Sequence, residues 1–302
     1  MPERIPLPEH LRARPFSRKD LELARLSQGR LNRRDVTRPY HGVQTTTPPS
    51  TLRERCHAYA VRMRPGQAFS HVTAALLHEL PLPGRLESSE ETLHVCCVRP
   101  AMPPRTVGVV SHRLTAAPVV QDLDGLQVCV PSEAWCQLAA DLSLDELIAV
   151  ADHLLTVSPL TEEATRRLLL RRIRASRRIG ADRLEAALTE ARRPVRSPGE
   201  TRLRLLLVRA GVEEPEVNGR VEDRAGLLLG HADLVWRARR LVAEYEGDGH
   251  RVDKERFRRD IERYERFRDA GWEVVRVTAD DLVGPRAIRL VERVHARLTR
   301  RA

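Results

Sequence analysis

The sequence predicts an α+β (mixed) protein of two domains, from its length, its apolar patterning and a change of element order near residue 192. Its 302 residues exceed the usual size of one domain. A hydrophobic content of 41% is enough for packed cores and argues against disorder. Helical patterns dominate both ends of the first 191 residues and short strand-like runs occupy the middle, whereas after residue 199 strands and helices alternate.

Residues 1–65 are predicted to form a small helical unit. Ser17 is a suitable N-cap for a helix that runs to about Leu26, and Asp20 is favourable in its first turn. A short helix and a β-like segment follow, and a second helix is expected over about 51–64.

Residues 66–191 are predicted to be a mixed region that ends in an arginine-rich helix. Ser70 begins an Ala/Leu-rich helix, and helices return after Pro131. Three strand-like runs lie between them, at 92–100, 107–114 and 126–131. His71 and His78 share one helix face, which indicates packed histidines and, as the less favoured alternative, a metal site.

The segment RRPVRSPG at 192–199 is predicted to be the linker between domains, because it has two prolines and a single apolar residue. Residues 196–302 are expected to fold independently. Their patterns predict the order α-β-β-β-α-β-α: helix 201–210, strands 214–220, 227–236 and 241–246, helix 253–270, strand 272–278 and helix 286–300.

Charge and cysteine content narrow the class of protein. Lys and Arg outnumber Asp and Glu by 52 to 42, a net charge of +10 that attracts polyanions such as DNA, although solvated helix faces show the same excess. Five cysteines without a CxxC pair indicate reduced thiols. The sequence shows no signal-peptide pattern and no long apolar run, so we expect a cytoplasmic protein with no membrane partner.

The segment HADLVWRARRLVAEYEGDGH (231–250) contains candidate metal-binding and catalytic residues. If it forms a hairpin that turns at 238–239, Asp233 lies directly opposite Glu244, where like charges repel. A hard divalent cation such as Mg²⁺ would supply the counter-charge. Alternation places Glu246 on the face of Glu244, and the following turn presents His250 as a candidate proton shuttle.

With these residues the C-terminal region resembles the very-short-patch-repair (Vsr)-type endonucleases of the restriction-endonuclease-like PD-(D/E)XK superfamily. The matching segments are, in order, SPGE at 197–200, DLVW at 233–236, EYEGDGH at 244–250, Asp260 to Arg263, and GWEVVR at 271–276. The resemblance implies a metal-dependent nuclease domain over 196–302, with Asp233 and Glu244 as metal ligands and Glu200 completing the acidic site.

Two departures from the family pattern affect the predicted chemistry. The superfamily's lysine is absent, and Glu246 stands where near relatives usually carry Asp. We therefore expect Glu246 or His250 to take the proton of the attacking water. Asp260 and Arg263 are spaced to form a surface ion pair. The alternative is that they contact the metal ligands without binding the metal themselves.

Residues 1–191 resemble, more loosely, the abortive-infection type IV (AbiEi-like) antitoxins. The segments that carry this likeness are FSRKDLELARLSQGRL, RPYHGV, SHVTAALLHELPLP and PSEAWCQLAADLSLDELIAVADHLL. That family begins with a winged helix, which implies a winged-helix-like DNA-binding unit here, with Arg30, Arg33 and Arg34 near DNA phosphates. The alternative is a helical packing module with solvated arginines.

Two functions follow from these observations. The first is a DNA endonuclease or nickase that uses Mg²⁺ or Mn²⁺ and acts in DNA repair, phage defence or mobile-element biology. The second is a non-enzymatic DNA-binding regulator or antitoxin, whose degenerate nuclease-like domain docks a partner such as a cognate toxin.

Overall fold

The computed structural model describes residues 6–87, 92–175, 179–247 and 254–300, and for residues 28, 32 and 254–260 it describes only the backbone. Helices and three separate sheets confirm the mixed α+β class. The chain divides into two compact units. Unit 1 comprises Met1–Asp141 and Arg172–Ala181, and unit 2 comprises Leu142–Arg171 and Asp182–Ala302. In these described ranges, every helix is too short or too polar to cross a membrane.

The first part of unit 1 is a small three-stranded antiparallel sheet with short helices. Its elements are α1 (Glu9–Arg12), β1 (Phe16–Ser17), α2 (Arg18–Leu23), a 3₁₀ helix (Gln28–Asn32), β2 (Thr37–Tyr40), β3 (Val43–Thr45) and α3 (Leu52–Ala60). The strand order is β1-β3-β2. Ser17 caps α2 as predicted, since its hydroxyl accepts from the Asp20 amide at 3.3 Å while the Asp20 carboxylate accepts from the Ser17 amide at 2.7 Å.

The rest of unit 1 is built on a five-stranded sheet. Its elements are β4 (Gln67–Phe69), α4 (His71–Leu77), α5 (Gly84–Glu87), β5 (Leu93–Val98), β6 (Val109–Leu114), β7 (Val120–Leu123), β8 (Leu126–Cys129) and α6 (Pro131–Gln137). The strand order is β6-β5-β4-β8-β7. The sequence did not predict β4 or β7: β4 is three residues long and buried throughout, and β7 is polar and mostly exposed, so neither alternates.

Unit 2 combines helices with a four-stranded sheet. Its elements are α7 (Leu144–Val157), α8 (Glu162–Arg174, whose last residues fall in unit 1), α9 (Ala181–Glu190), α10 (Pro198–Arg209), β9 (Glu216–Glu222), β10 (Leu228–Trp236), β11 (Leu241–Glu246), α11 (Lys254–Asp269), β12 (Glu273–Thr278) and α12 (Gly284–Thr299). From α10 onward this is the predicted α-β-β-β-α-β-α order. The strand order is β12-β11-β10-β9, with β11 and β12 parallel.

Both faces of this sheet are covered by helices. Leu234 and Leu241 share one core cluster with residues of α10 and α12, among them Leu203 and Leu290. On the other face, residues such as Val242 pack against α11 and bury Phe267 and Trp272. The sheet that carries the polar residues of β10 and β11 is therefore packed against helices on both faces.

Residues 192–199 were predicted to link two domains, whereas in the structure this segment lies inside unit 2. Val195 is buried, and its amide donates to Thr156 Oγ1 of α7 at 3.0 Å. The Pro194 carbonyl accepts from Asn218 Nδ2 at 3.2 Å. The two prolines thus belong to a packed connection, and the boundary between units falls near residue 142.

A buried carboxylate holds this connection in place. Asp152 of α7 is fully buried and accepts from the Arg192 amide at 2.6 Å, from Thr201 Oγ1 at 2.8 Å and from Arg204 Nη2 at 3.3 Å. Arg204 is itself only 2% exposed. A fragment that starts at residue 196 would leave the Arg204 guanidinium buried without this carboxylate, so the packing argues against the predicted independence of 196–302.

Replacing Asp152 should strongly destabilise unit 2. Asp152→Ala leaves the buried Arg204 charge uncompensated, and we expect the free energy of unfolding to fall by about 3–5 kcal/mol. Urea denaturation of the full chain measures it. Asp145→Ala removes an exposed ion pair to Arg209 and is the matched control, with an expected loss below about 1 kcal/mol. Equal losses in the two variants would contradict the role given to Asp152.

Candidate functional site

The hairpin of β10 and β11 places two of the predicted carboxylates opposite each other. Leu234 pairs with Ala243 and Trp236 with Leu241 in the antiparallel ladder. Asp233 and Glu244 are the next residues along the two strands, at the positions where the sequence predicted them to face each other. The Asp233 carboxylate also accepts a hydrogen bond from the Tyr245 amide, at 2.7 Å from Oδ2.

The start of α10 brings a third carboxylate to the same strands. Ser197 caps the helix by accepting from the Glu200 amide at 3.3 Å. Gly199 lies against Tyr245, so closely that a Cβ at this position would stand 2.0 Å from Cε1 of the tyrosine ring. Only glycine therefore allows the first turn of α10, which carries Glu200, to approach β11 this closely.

Glu200 occupies a buried, hydrogen-bonded position beside Asp233. It is 6% exposed, and its Oε2 accepts from the Arg196 amide at 2.9 Å and from Asn218 Nδ2 at 3.3 Å. Burial, followed by the nearby negative charge of Asp233, raises the pKa of Glu200 to about 7. α10 and β10 thus hold two carboxylates close enough for one to alter the protonation of the other.

Glu244 is buried against an arginine of α11. It is 5% exposed, and its Oε2 accepts from Arg263 Nη2 at 3.3 Å. Arg263 also donates to the His231 carbonyl at 3.1 Å and to the Tyr264 hydroxyl at 3.2 Å. Burial and the charge of Glu244 raise the pKa of Tyr264 above its ordinary value. Arg263 thus contacts a predicted metal ligand, whereas its predicted pairing with Asp260 involves a side chain outside the described residues.

Glu246 forms a two-pronged ion pair with Arg276 of the neighbouring strand β12. Arg276 Nη2 donates to Glu246 Oε2 at 2.8 Å, and its Nε donates to Oε1. The guanidinium carbon of Arg276 lies 5.6 Å from the centre of the Tyr264 ring. Sequence reasoning gave Tyr264 and Arg276 no role, because the contact requires the parallel pairing of β11 with β12.

These arginines change the electrostatic argument made from the sequence. The facing carboxylates were expected to obtain their counter-charge from a divalent cation, whereas Arg263 and Arg276 supply positive charge to Glu244 and Glu246. Two other predicted residues cannot be placed: His250 and the side chain of Asp260 lie outside the described part of the chain.

The donor chemistry of the site fits a hard divalent cation held by few protein ligands. Glu200, Asp233 and Glu244 offer only carboxylate oxygens, which Mg²⁺ prefers. Among the residues that the structure describes, no three His, Cys, Asp or Glu side chains are arranged to hold a metal ion. Mg²⁺ is commonly bound by one or two carboxylates together with water and phosphate oxygens, so Asp233 and Glu244 stay the predicted ligands.

The predicted DNA-binding arginines of unit 1 differ from one another in their surroundings. Both terminal guanidinium nitrogens of Arg30 donate to Asp35, at 2.9 and 2.6 Å, and the Arg30 side chain is only 11% exposed. Arg33 and Arg34, which follow the 3₁₀ helix, are exposed. The positive charge that this segment presents to solvent is therefore that of Arg33 and Arg34.

The histidines predicted from the α4 pattern do not meet each other. The His71 ring stacks on His112 with centroids 3.5 Å apart, and His94 Nδ1 lies 3.0 Å from His112 Nε2. Burial and the neighbouring His94 lower the pKa of His112 to about 4. His78 Nε2 instead donates to the Cys129 carbonyl at 2.9 Å. These contacts support the interpretation of His71 and His78 as packed side chains. The five cysteines are buried free thiols.

Comparisons with known proteins give relatives but no function. Over 248 residues the chain is 25% identical to uncharacterised proteins from two strains of Mycobacterium tuberculosis, which covers 82% of this chain and 87% of each relative. No family model matches the chain. No solved structure matches it either.

The raised pKa of Glu200 predicts a specific dependence of stability on pH. Because its folded pKa of about 7 exceeds the ordinary 4.5, protonation of Glu200 favours the folded state below pH 4.5, and this contribution of about 3 kcal/mol is lost as pH rises through 7. Urea unfolding of wild type and Glu200→Gln at pH 5 and pH 8 measures it.

In this comparison, the free energy of unfolding of Glu200→Gln minus that of wild type should be larger at pH 8 than at pH 5. Asp233→Asn removes the neighbouring charge and should shrink the wild-type pH effect. A pH dependence that is the same in wild type and Glu200→Gln would show that Glu200 keeps its ordinary pKa.

Proposed function

We propose that the protein is a metal-dependent DNA endonuclease or nickase that hydrolyses phosphodiester bonds at the carboxylates of unit 2. The observation that carries this proposal is the placement of the predicted carboxylates: Asp233 and Glu244 lie on neighbouring paired strands, and the close approach of Gly199 to Tyr245 brings Glu200 to the same strands. After burial, the charge of Asp233 contributes to the raised pKa of Glu200. This supports the order of acidic residues on which the resemblance to Vsr-type nucleases rests.

In this proposal each residue has a distinct task. Asp233 and Glu244 would hold Mg²⁺ or Mn²⁺, which when bound polarises the scissile phosphate and lowers the pKa of a coordinated water. Glu200, with a pKa of about 7, can accept a proton near neutral pH. Arg276 offers positive charge on the strand next to Glu244, in a region where the superfamily's lysine is absent.

Unit 1 would provide a separate contact with DNA. Its order of helix, strand, helix, 3₁₀ helix and hairpin, with the sheet β1-β3-β2, is the order of a winged helix-turn-helix unit. Arg33 and Arg34 lie on the exposed segment between the 3₁₀ helix and the hairpin. Arginine in such a position contacts backbone phosphates and orients the protein on the duplex.

One observation favours the second function, a DNA-binding regulator or antitoxin. Arg263 and Arg276 pair with Glu244 and Glu246, so part of the acidic site is balanced without a cation. A degenerate nuclease-like domain that docks a partner such as a toxin would retain these ion pairs. Cleavage therefore discriminates between the two functions.

Nicking or linearisation of a supercoiled plasmid by the full chain is the direct assay. We expect cleavage that requires Mg²⁺ or Mn²⁺ and that Asp233→Asn and Glu244→Gln each reduce at least about 100-fold, because both substitutions remove a ligand charge and keep the shape. Glu216→Gln, which breaks an exposed ion pair to Arg237, is the control and should cleave normally. Wild-type protein that leaves the plasmid intact would favour the regulator.

DNA affinity at several salt concentrations tests the contribution of unit 1. Replacing Arg33 and Arg34 together with Ala should weaken binding and reduce the slope of log affinity against log salt by up to about 1.8, because two phosphate contacts and their counterions are lost. The double variant Arg105→Ala/Arg113→Ala removes equal charge from exposed positions elsewhere in unit 1. Identical slopes in the two double variants would assign Arg33 and Arg34 to an ordinary solvated surface.

A further inference from the structure

One side of α12 carries a row of arginines that is kept apart from the acidic residue of the helix. Because successive residues of an α-helix are rotated by about 100°, five side chains fall within an arc of about 80°. They form the arginine row: Arg286, Arg289, Arg293, Arg297 and Arg300. On the adjoining arc, Leu290 and Val294 are buried in the core of unit 2. Glu292, the one acidic residue of α12, lies about 60° outside the row.

Two ion pairs fix how α12 lies on the sheet. Arg286 Nη1 lies 2.9 Å from Oδ2 of Asp280, which follows the end of β12. Arg297 Nε lies 3.0 Å from Oε2 of Glu273, which begins β12. α12 therefore runs antiparallel to β12, the edge strand of the sheet. Because these pairs occupy Arg286 and Arg297, the arginine row faces the β12 edge.

Arg289 and Arg293, in the middle of the row, are not neutralised in this way. Both are exposed, and neither forms an ion pair with a residue that the structure describes. Hydrogen bonds from the Thr278 amide and hydroxyl, each at 2.9 Å, and then the charge of Arg293 lower the pKa of the nearby Asp281. That carboxylate is engaged by Thr278, so both guanidinium groups are available to an external anion, and guanidinium binds phosphate through paired N–H donors.

The arginine row begins at the end of the sheet that carries the candidate site. Thr278, the last residue of β12, pairs with Glu246 of β11. A 3₁₀ helix (Ala279–Leu282) then leads to α12 and packs into the same core cluster as α10, the helix that carries Glu200. From its first to its last arginine the row extends about 21 Å along the edge of the sheet. This length spans about six phosphates of one DNA strand.

We propose that α12 binds the backbone of duplex DNA beside the candidate site, with Arg289 and Arg293 on phosphates of one strand. The proposal rests on the proposed nuclease for the path of the DNA, and it adds a sequence-independent contact in unit 2 that holds the duplex in register. An anionic membrane fits the helix less well, because a helix that lies on a bilayer inserts its apolar face. In α12 that face, with Leu290 and Val294, is buried in the protein core.

Fluorescence anisotropy of a labelled 20-base-pair duplex, titrated with the full chain in EDTA at several salt concentrations, tests this assignment. Arg289→Gln/Arg293→Gln should weaken binding and reduce the slope of log affinity against log salt by up to about 1.8, because two phosphate contacts are lost. The control Arg266→Gln/Arg268→Gln removes equal charge from exposed positions of α11, on the opposite face of the sheet, and should keep the wild-type slope. Both double variants should melt at the wild-type temperature, since these side chains are exposed.

The outcomes of this assay are separate from those of the cleavage assay, because EDTA removes the metal and only binding is measured. Wild-type protein that does not bind the duplex, or equal slopes in the two double variants, would overturn the assignment of α12 even if the protein cleaves DNA. Binding to phosphatidylglycerol vesicles that only the α12 variant loses, with its DNA affinity unchanged, would assign the row to a membrane and also overturn it. A protein that leaves plasmid intact but shows the expected loss of slope would retain the α12 contact without the nuclease.

Discussion

Three buried carboxylates constrain how the helices of unit 2 pack around its sheet. Asp152, Glu200 and Glu244 are carboxylates with at most 6% exposure, and each is compensated in a different way. Asp152 is paired with the buried Arg204, Glu244 is paired with Arg263, and Glu200 accepts two hydrogen bonds and has a pKa near neutrality. Desolvated carboxylates are costly without such partners, so the positions of α7, α10 and α11 around the sheet are tied to these three residues.

The way in which the charge is compensated also distinguishes Asp152 from Glu200. Asp152 accepts from three donors, one of them the positively charged Arg204, and fixes α10 against α7. Glu200 meets instead the like charge of Asp233, an arrangement that favours a bound proton or a cation and that recurs at catalytic sites. The unfavourable electrostatics at the start of α10 are the physical basis of the proposed metal-dependent function.

Local signals explain what the sequence could predict. The Ser17 cap and the alternation of β10 and β11 need only neighbouring residues, so the element order from α10 onward and the predicted facing of Asp233 and Glu244 could be derived. Asp152 and Arg204 are separated by 52 residues, and neither has a local pattern that indicates the other. The packed path of residues 192–199 depends on that contact, which is why prolines and arginines there were interpreted as a linker. The pairing of Glu246 with Arg276 likewise depends on a parallel crossover.

Anomalous diffraction from crystals of the full chain grown with Mn²⁺ most directly tests whether the carboxylates of unit 2 form a metal site. The account predicts a peak coordinated by oxygens of Asp233 and Glu244, beside Glu200, that disappears in Asp233→Asn crystals. Crystals without a peak at these residues, in which Arg263 and Arg276 still contact Glu244 and Glu246, would contradict it, because arginines alone would then balance the buried charge.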